Sequence, residues 1–108
     1  HLQYTKDYWR NLKMLNRTGN GYLTDPTEWS LETMHKMAIE DEVELTDSMV
    51  AQILAARDYF DENSSVPPIR TFAKVVGIDK KVLFKEWLTG PMKPITKYGG
   101  LPQPTGCV

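Results

Sequence analysis

The chain has 108 residues, of which 41% are apolar, and this is enough for one compact domain. No apolar run approaches the roughly 20 residues of a membrane helix, and the N-terminal segment lacks the hydrophobic stretch of a signal peptide, so we expect a cytoplasmic protein without membrane contact. The net charge of −1 conceals a strong asymmetry: residues 25–63 hold 11 acidic and two basic side chains, whereas residues 66–98 hold two acidic and seven basic ones. Such polarity favours docking to protein partners, although two solvated faces would give the same pattern.

The beginning of the chain combines two patterns. Tyr4, Tyr8, Leu12 and Leu15 lie at helical spacing, whereas "KMLNRTGNGYLT" is typical of two short strands around a Gly/Asn turn. We favour a β-hairpin from about residue 12 to residue 24.

A helix is predicted near residues 26–41. Asp25 is a suitable N-cap, Pro26 fits the first helical position, and Glu28 follows the cap by three residues as in a capping box. Apolar side chains then recur at helical spacing and predict a buried stripe; these are Leu31, Met34 and Ala38.

Three further helices are predicted in the middle of the chain. Thr46 caps a central helix with a broad apolar face, "LTDSMVAQILAARDYFDEN", and "NSSVPP" ends it in a loop. Two short helices follow near 68–76 and 79–88, broken by Gly77 and restarted by Asp79 as a cap. This pair resembles a helix-turn-helix.

The C-terminal part predicts a mobile arm over residues 99–108, after at most one helical turn near 92–98. Its flexibility is attributed to residues that resist helix and strand formation, namely Gly99, Gly100, Pro102, Pro104 and Gly106. The single cysteine, Cys107, is the penultimate residue, so it has no intramolecular disulfide partner and should be accessible.

The thiol of Cys107 should be an ordinary one, because the neighbouring carboxylate of Val108 disfavours a second negative charge. Activation would come from a basic site on a partner, or from Arg70, Lys93 and Lys97 if the arm folds back. The alternative for these three residues is that they are ordinary surface cations.

The ending "GLPQPTGCV" closely resembles the C-terminal arm of the DsrC/TusE family of sulfur-relay proteins. The segments "GYLTDPTEW", "ELTDSMVAQILAARDYFDE" and "PPIRTFAK" extend the resemblance over roughly residues 18–108. It implies a single domain over residues 1–108: a small, mostly α orthogonal helical bundle with an N-terminal β-hairpin, a helix-turn-helix-like part and the mobile arm.

The resemblance implies that Cys107 carries persulfide sulfur, as a sulfurtransferase-type carrier and not a classical turnover enzyme, with no metal or organic cofactor. In two-cysteine DsrC members a second cysteine stands eleven positions earlier, where this chain has Thr96. The TusE type is therefore favoured, with a TusBCD- or DsrEFH-like donor complex and transfer toward 2-thiouridine formation in tRNA through a thiolating enzyme. A DsrC-like paralogue serving dissimilatory sulfur metabolism or sulfite reductase is the alternative.

Two functions of other classes are weighed against this one. Lys80, Lys81 and Lys85 on the second short helix imitate a DNA-recognition helix. Burial is expected for Phe84, Trp87 and Leu88 beside them, and the chain is slightly acidic, which argues against direct DNA binding. A conventional enzyme has little support, because His35 has no second ligand at metal-binding spacing and no phosphate loop or nucleophile elbow occurs.

Overall fold

The computed structural model describes residues 15–104, which form five α-helices. We number them α1 (Leu31–Glu40), α2 (Asp47–Asn63), α3 (Ile69–Val76), α4 (Lys80–Trp87) and α5 (Met92–Tyr98). The expectation of a small, mostly helical domain is confirmed. None of these helices is both long and apolar enough to cross a bilayer.

The predicted β-hairpin is wrong for the described residues, since residues 15–104 contain no strand and only one isolated antiparallel bridge, between Arg17 and Leu23. A two-stranded hairpin is marginal unless something packs on it, and here the side chains of the turn reach toward helices instead of a neighbouring strand. Arg17 Nη1 donates to Glu40 Oε1 at 2.9 Å. Residues 12–14 of the predicted hairpin, and the aromatic positions Tyr4 and Tyr8, lie outside the described residues.

The single helix expected over 26–41 is divided in two. Asp25 caps only a 3₁₀ turn, Pro26–Glu28, and α1 has its own N-cap in Ser30, whose side chain accepts from the backbone NH of Thr33. The residue between them, Trp29, has an extended backbone, and its indole Nε1 donates to the carbonyl oxygen of Tyr98 at 2.7 Å. A distant hydrogen bond thus accompanies the break where local sequence favours a continuous helix.

The boundaries of α2, α3 and α4 agree with the sequence prediction, because local caps determine them. The Thr46 side chain accepts from the backbone NH of Met49, and Gly77 ends α3 with φ +68°. Asp79 caps α4 by accepting from the backbone NH of Lys81 at 2.8 Å. The two short helices pack against each other, as expected of a helix-turn-helix-like pair.

Helix α5 lies in the core, where it packs against α1 and α2. It spans seven residues, about two turns, and so exceeds the single turn predicted. The residues of the core that are fully buried come from all five helices and include Met34, Ile53, Phe72, Leu83 and Ile95. Because α5 is buried, the chain that follows Tyr98 leaves from the interior of the domain.

Candidate functional site

The C-terminal segment is packed at its start. Gly99, Gly100 and Leu101 are buried, and we call these three residues the arm root. The predicted arm began at residue 99, so the structure moves the end of the packed chain to Leu101. Pro102 and Gln103 are exposed and Pro104 is half-buried. Gly106 and Cys107 lie outside the described residues.

Glycine is required at the arm root by close packing, which differs from the flexibility expected of Gly99 and Gly100. A Cβ atom at residue 99 would lie 2.8 Å from the carbonyl oxygen of Ile95. At Gly100 φ is +65°, and a Cβ atom would lie 2.7 Å from Cδ1 of Trp29. Both positions therefore fix the chain against its neighbours.

Arg57 and Trp29 hold the arm root through two successive carbonyl groups. Arg57 Nη1 donates to the carbonyl oxygen of Gly99 at 2.6 Å, and Trp29 donates to that of Tyr98. The Arg57 guanidinium carbon also lies 3.7 Å from the centre of the Trp29 ring, in a cation–π arrangement. Sequence reasoning missed both residues. The available signal was that Arg57 is the one basic residue of α2.

Beside the arm root lies an open cleft of about 740 Å³. Lys93 and Lys97 of α5 line it together with Gln103 and Pro104 of the C-terminal segment. It thus brings together two of the three predicted anion-guiding cations with the chain that leads to Cys107. Arg70 is exposed on α3 and is not among the lining residues.

The cleft also has an acidic side. Three carboxylates line it, Glu42, Glu44 and Glu86. Lys97 is partly neutralised, since its Nζ lies 3.4 Å from Asp41 Oδ2. The surface around the cleft therefore carries both signs of charge.

Asp41 connects the wall of the cleft to the rest of the domain. Burial would raise the pKa of its carboxyl group, but hydrogen bonds from Arg17 and Tyr98 and the charges of Arg17 and Lys97 outweigh this effect and lower the pKa below its usual value. Tyr98 Oη donates to Asp41 Oδ2 at 2.8 Å. Burial, and then this bond to a carboxylate, raise the pKa of Tyr98 well above its usual value.

Thr96, at the position where the resemblance places a second cysteine, is completely buried in α5. Its Oγ1 donates to the carbonyl oxygen of Met92 at 2.7 Å and lies 2.9 Å from Tyr22 Oη. Burial raises the pKa of Tyr22, although the Thr96 bond acts in the opposite direction. Across residues 15–104, no group of three or more His, Cys, Asp or Glu side chains is arranged to hold a metal ion.

Comparison with known proteins gives one consistent family. The family model described as "DsrC like protein" matches residues 10–108. The sulfurtransferase TusE homolog of Haemophilus influenzae is 33% identical, with 82% of this chain and 88% of the relative covered. Sulfurtransferase TusE of Pectobacterium atrosepticum is 32% identical, with 82% and 87% covered.

Solved structures agree with the sequence relatives. DsrC of Allochromatium vinosum has a TM-score of 0.78 at 32% identity and covers 89% of this chain and 92% of its own. The oxidized γ-subunit of the dissimilatory sulfite reductase (DsrC) from Archaeoglobus fulgidus has a TM-score of 0.74 at 31% identity, with 89% and 94% covered. With nearly the whole sequence matched by the family model and the same helical fold in solved relatives, this chain belongs to the DsrC-like family.

Proposed function

We propose that this protein is a sulfur carrier and that Cys107 is the residue that holds the sulfur. Membership of the DsrC-like family and similarity to TusE sulfurtransferases support a sulfur-carrier role in a sulfur relay. The observation that carries the assignment to Cys107 is the arm root. It fixes the chain as far as Leu101, beside the cleft, and the only thiol of the sequence follows six residues later.

The distance between the fixed point and the thiol suits a short arm. At about 3.1 Å per residue for an extended polyproline-like chain, six residues carry the thiol roughly 19 Å from Leu101. Pro102 and Pro104 limit the conformational entropy that such a segment loses when it enters a partner's active site. The arm of the proposal is thus residues 102–108, attached to the arm root.

The transfer step conserves electrons. The Cys107 thiolate attacks the outer sulfur of a donor persulfide, a new S–S bond forms on Cys107, the donor S–S bond breaks, and the donor sulfur leaves as a thiolate. Delivery repeats the step with an acceptor thiolate attacking the outer sulfur on Cys107. Lys93, Lys97 or basic groups of the partner would stabilise the anionic sulfur, and direction follows from the relative stability of the two thiolates.

We propose a TusBCD-like donor complex and, as acceptor, a thiolating enzyme that acts on tRNA, as the resemblance to the TusE type implies. A hydroxyl group at Thr96 agrees with a one-cysteine carrier, which passes its sulfur on without forming an internal disulfide. A DsrEFH-like donor and a sulfite reductase as acceptor remain the less favoured pair. The cytoplasmic location stays a prediction.

The family does not favour DNA binding by α3 and α4. Trp87 of α4 is buried, as expected, and so is Leu83. The burial expected of Phe84 and Leu88 is wrong, since both are exposed. The exposed residues of α4 also include Lys80, Lys81 and Lys85. Retention on DNA that depends on salt and persists in Cys107→Ala would support that function instead.

Intact-protein mass spectrometry tests the role of Cys107. After incubation with a persulfide-loaded TusBCD-like complex, we expect the wild-type protein to gain one sulfur atom, located on the C-terminal peptide. Cys107→Ser should gain none, because a hydroxyl group does not exchange with a persulfide. Equal loading of the two proteins would exclude Cys107 as the carrier.

A truncation separates the arm from the fold. A protein that ends at Leu101 keeps the arm root and should unfold at the same temperature as the full-length chain. It should bind the donor and acceptor proteins more weakly than the full-length chain in pull-down experiments, because the contacts of the arm inside the partner's active site are lost. Equal retention of the partners by both proteins would show that the arm contributes nothing to binding.

A further inference from the structure

Leu88 combines two features that a folded domain normally avoids. Its side chain is 88% exposed, and its φ of +62° places it in the left-handed region. It occupies the C-cap of α4, where its backbone NH donates to the carbonyl oxygen of Phe84 at 2.9 Å. Among residues 15–104, Leu88 is the only apolar residue with a positive φ.

The fold itself has no use for leucine at this position. Glycine is preferred at a left-handed helix C-cap because it has no Cβ atom to strain the backbone. An exposed leucine also leaves its apolar surface in water, without the stabilisation that burial would bring. Backbone strain of this kind is concentrated at functional sites, and here it coincides with the most exposed large apolar side chain of residues 15–104.

The location of Leu88 indicates what it binds. Leu88 lines the same cleft as Gln103 and Pro104, the last described residues before Cys107. A protein that takes this thiol into its active site is limited by the short reach of the arm, which brings it close to this cleft. Glu44 and Glu86 of the cleft would face that protein as well.

We infer that Leu88 is the apolar anchor that docks this protein onto the partner with which Cys107 exchanges sulfur; the inference rests on the proposed function. The partner surface that fits has an apolar pocket for Leu88 and basic side chains opposite Glu44 and Glu86. An apolar side chain that becomes buried within a polar rim is a common arrangement at protein–protein interfaces. Docking places the partner's active site within reach of the arm before the chemical step.

Leu88→Gly tests the inference because thermal stability should increase in this variant while the rate of loading from a protein donor should fall. Loss of backbone strain should raise Tm by about 3 °C. Second-order loading from the persulfide-loaded TusBCD-like complex should fall at least about tenfold, as expected when the burial of one leucine is lost. Loading from glutathione persulfide should not change, since this small donor needs no docking surface.

Two control variants separate the relief of backbone strain from the loss of exposed apolar surface. Ser64 is also an exposed, left-handed C-cap, at the end of α2 and outside the cleft, so Ser64→Gly should raise Tm without slowing transfer. Val75→Ser removes exposed apolar surface from α3, away from the cleft, and should leave transfer unchanged.

Three results would overturn the docking role of Leu88. They are an unchanged loading rate from the protein donor in Leu88→Gly, an equal loss in Val75→Ser, or wild-type loading from the protein donor no faster than from glutathione persulfide. Failure of the proposed function has a different result, since Cys107→Ser would then still gain sulfur. The docking inference therefore fails separately from the assignment of Cys107.

Discussion

Arg57 shows how one side chain can position a segment whose chemistry takes place elsewhere. Its guanidinium group contacts both the Trp29 ring and the Gly99 carbonyl oxygen, so it connects the segment before α1, the middle of α2 and the arm root. A planar guanidinium group is well suited to stack on an aromatic ring and donate a directed hydrogen bond at the same time. Arg57 is thus a positioning residue and does not touch the transferred sulfur in the proposal.

Arg57→Met should lower the free energy of unfolding by about 2 kcal/mol, because the Gly99 carbonyl loses its charged donor and Trp29 loses its cation. Urea unfolding followed by tryptophan fluorescence measures this loss. A spin label on Cys107, the only cysteine, should report a change in motion when the arm root loosens.

The matched control is Arg70→Met, the same substitution at an exposed residue of α3. It should change the free energy of unfolding by less than about 0.5 kcal/mol. Equal losses in the two variants would contradict the special role of Arg57.

The helices that could be predicted from the sequence are those whose ends depend on local residues. The side chains of Thr46 and Asp79 bond to backbone groups two or three residues away, and Gly77 supplies its own positive φ, so α2, α3 and α4 have the expected limits. The predictions failed where distant contacts decide the backbone. The break at Trp29 faces a carbonyl group 69 residues later, and no local pattern reveals it.

The candidate site likewise contains some residues that sequence motifs indicate and others that only distant contacts reveal. The role of Cys107 stays a prediction from the sequence motif, and the structure adds that Lys93 and Lys97 line the cleft next to the segment that leads to it. The role of Arg57 could not, because its partner Gly99 lies 42 residues away and is a backbone group that any residue possesses. Gly100 indicated flexibility for the same reason, since the Trp29 side chain that packs against it comes from a distant part of the sequence.

Gly100→Ala tests the packing of the arm root. The methyl group would meet Trp29 at 2.7 Å on a backbone with φ +65°, so steric overlap adds to backbone strain. We expect a loss of at least about 3 kcal/mol in the free energy of unfolding, measured in urea. Gly77→Ala is the control, because its φ of +68° is similar but its surroundings are open. That variant should lose only about 1 kcal/mol, and equal losses would show that Trp29 exerts no steric constraint.

Asp41 holds three parts of the domain together. It follows α1, it accepts hydrogen bonds from Arg17 of the N-terminal turn, and it faces Lys97 and Tyr98 of α5. Because α5 leads into the arm root, the ion pairs of Asp41 also stabilise the element from which the C-terminal segment leaves. The stability of the molecule should therefore depend on the charge of this one carboxyl group.

The lowered pKa of Asp41 predicts how the difference in stability between wild type and Asp41→Asn depends on pH. A carboxyl group with a depressed pKa in the folded state stabilises the protein above its unfolded pKa of about 3.9 and loses this effect as pH falls through the folded value. Wild type should exceed Asp41→Asn in stability at pH 7, and the difference should shrink below about pH 4. Thermal unfolding of both proteins over the acid range measures this, and a difference independent of pH would show that the charge of Asp41 is not responsible.

The buried hydroxyl of Thr96 has a consequence for how a loaded carrier is emptied. In the proposed cycle, this sequence offers no second thiol to which Cys107 could pass its sulfur within the same molecule. Emptying is then a bimolecular event whose rate rises with acceptor concentration, and a molecule that meets no acceptor keeps its cargo. The loaded fraction in the cell would thus report demand for sulfur downstream, in the way that the charged fraction of a tRNA reports the rate of translation.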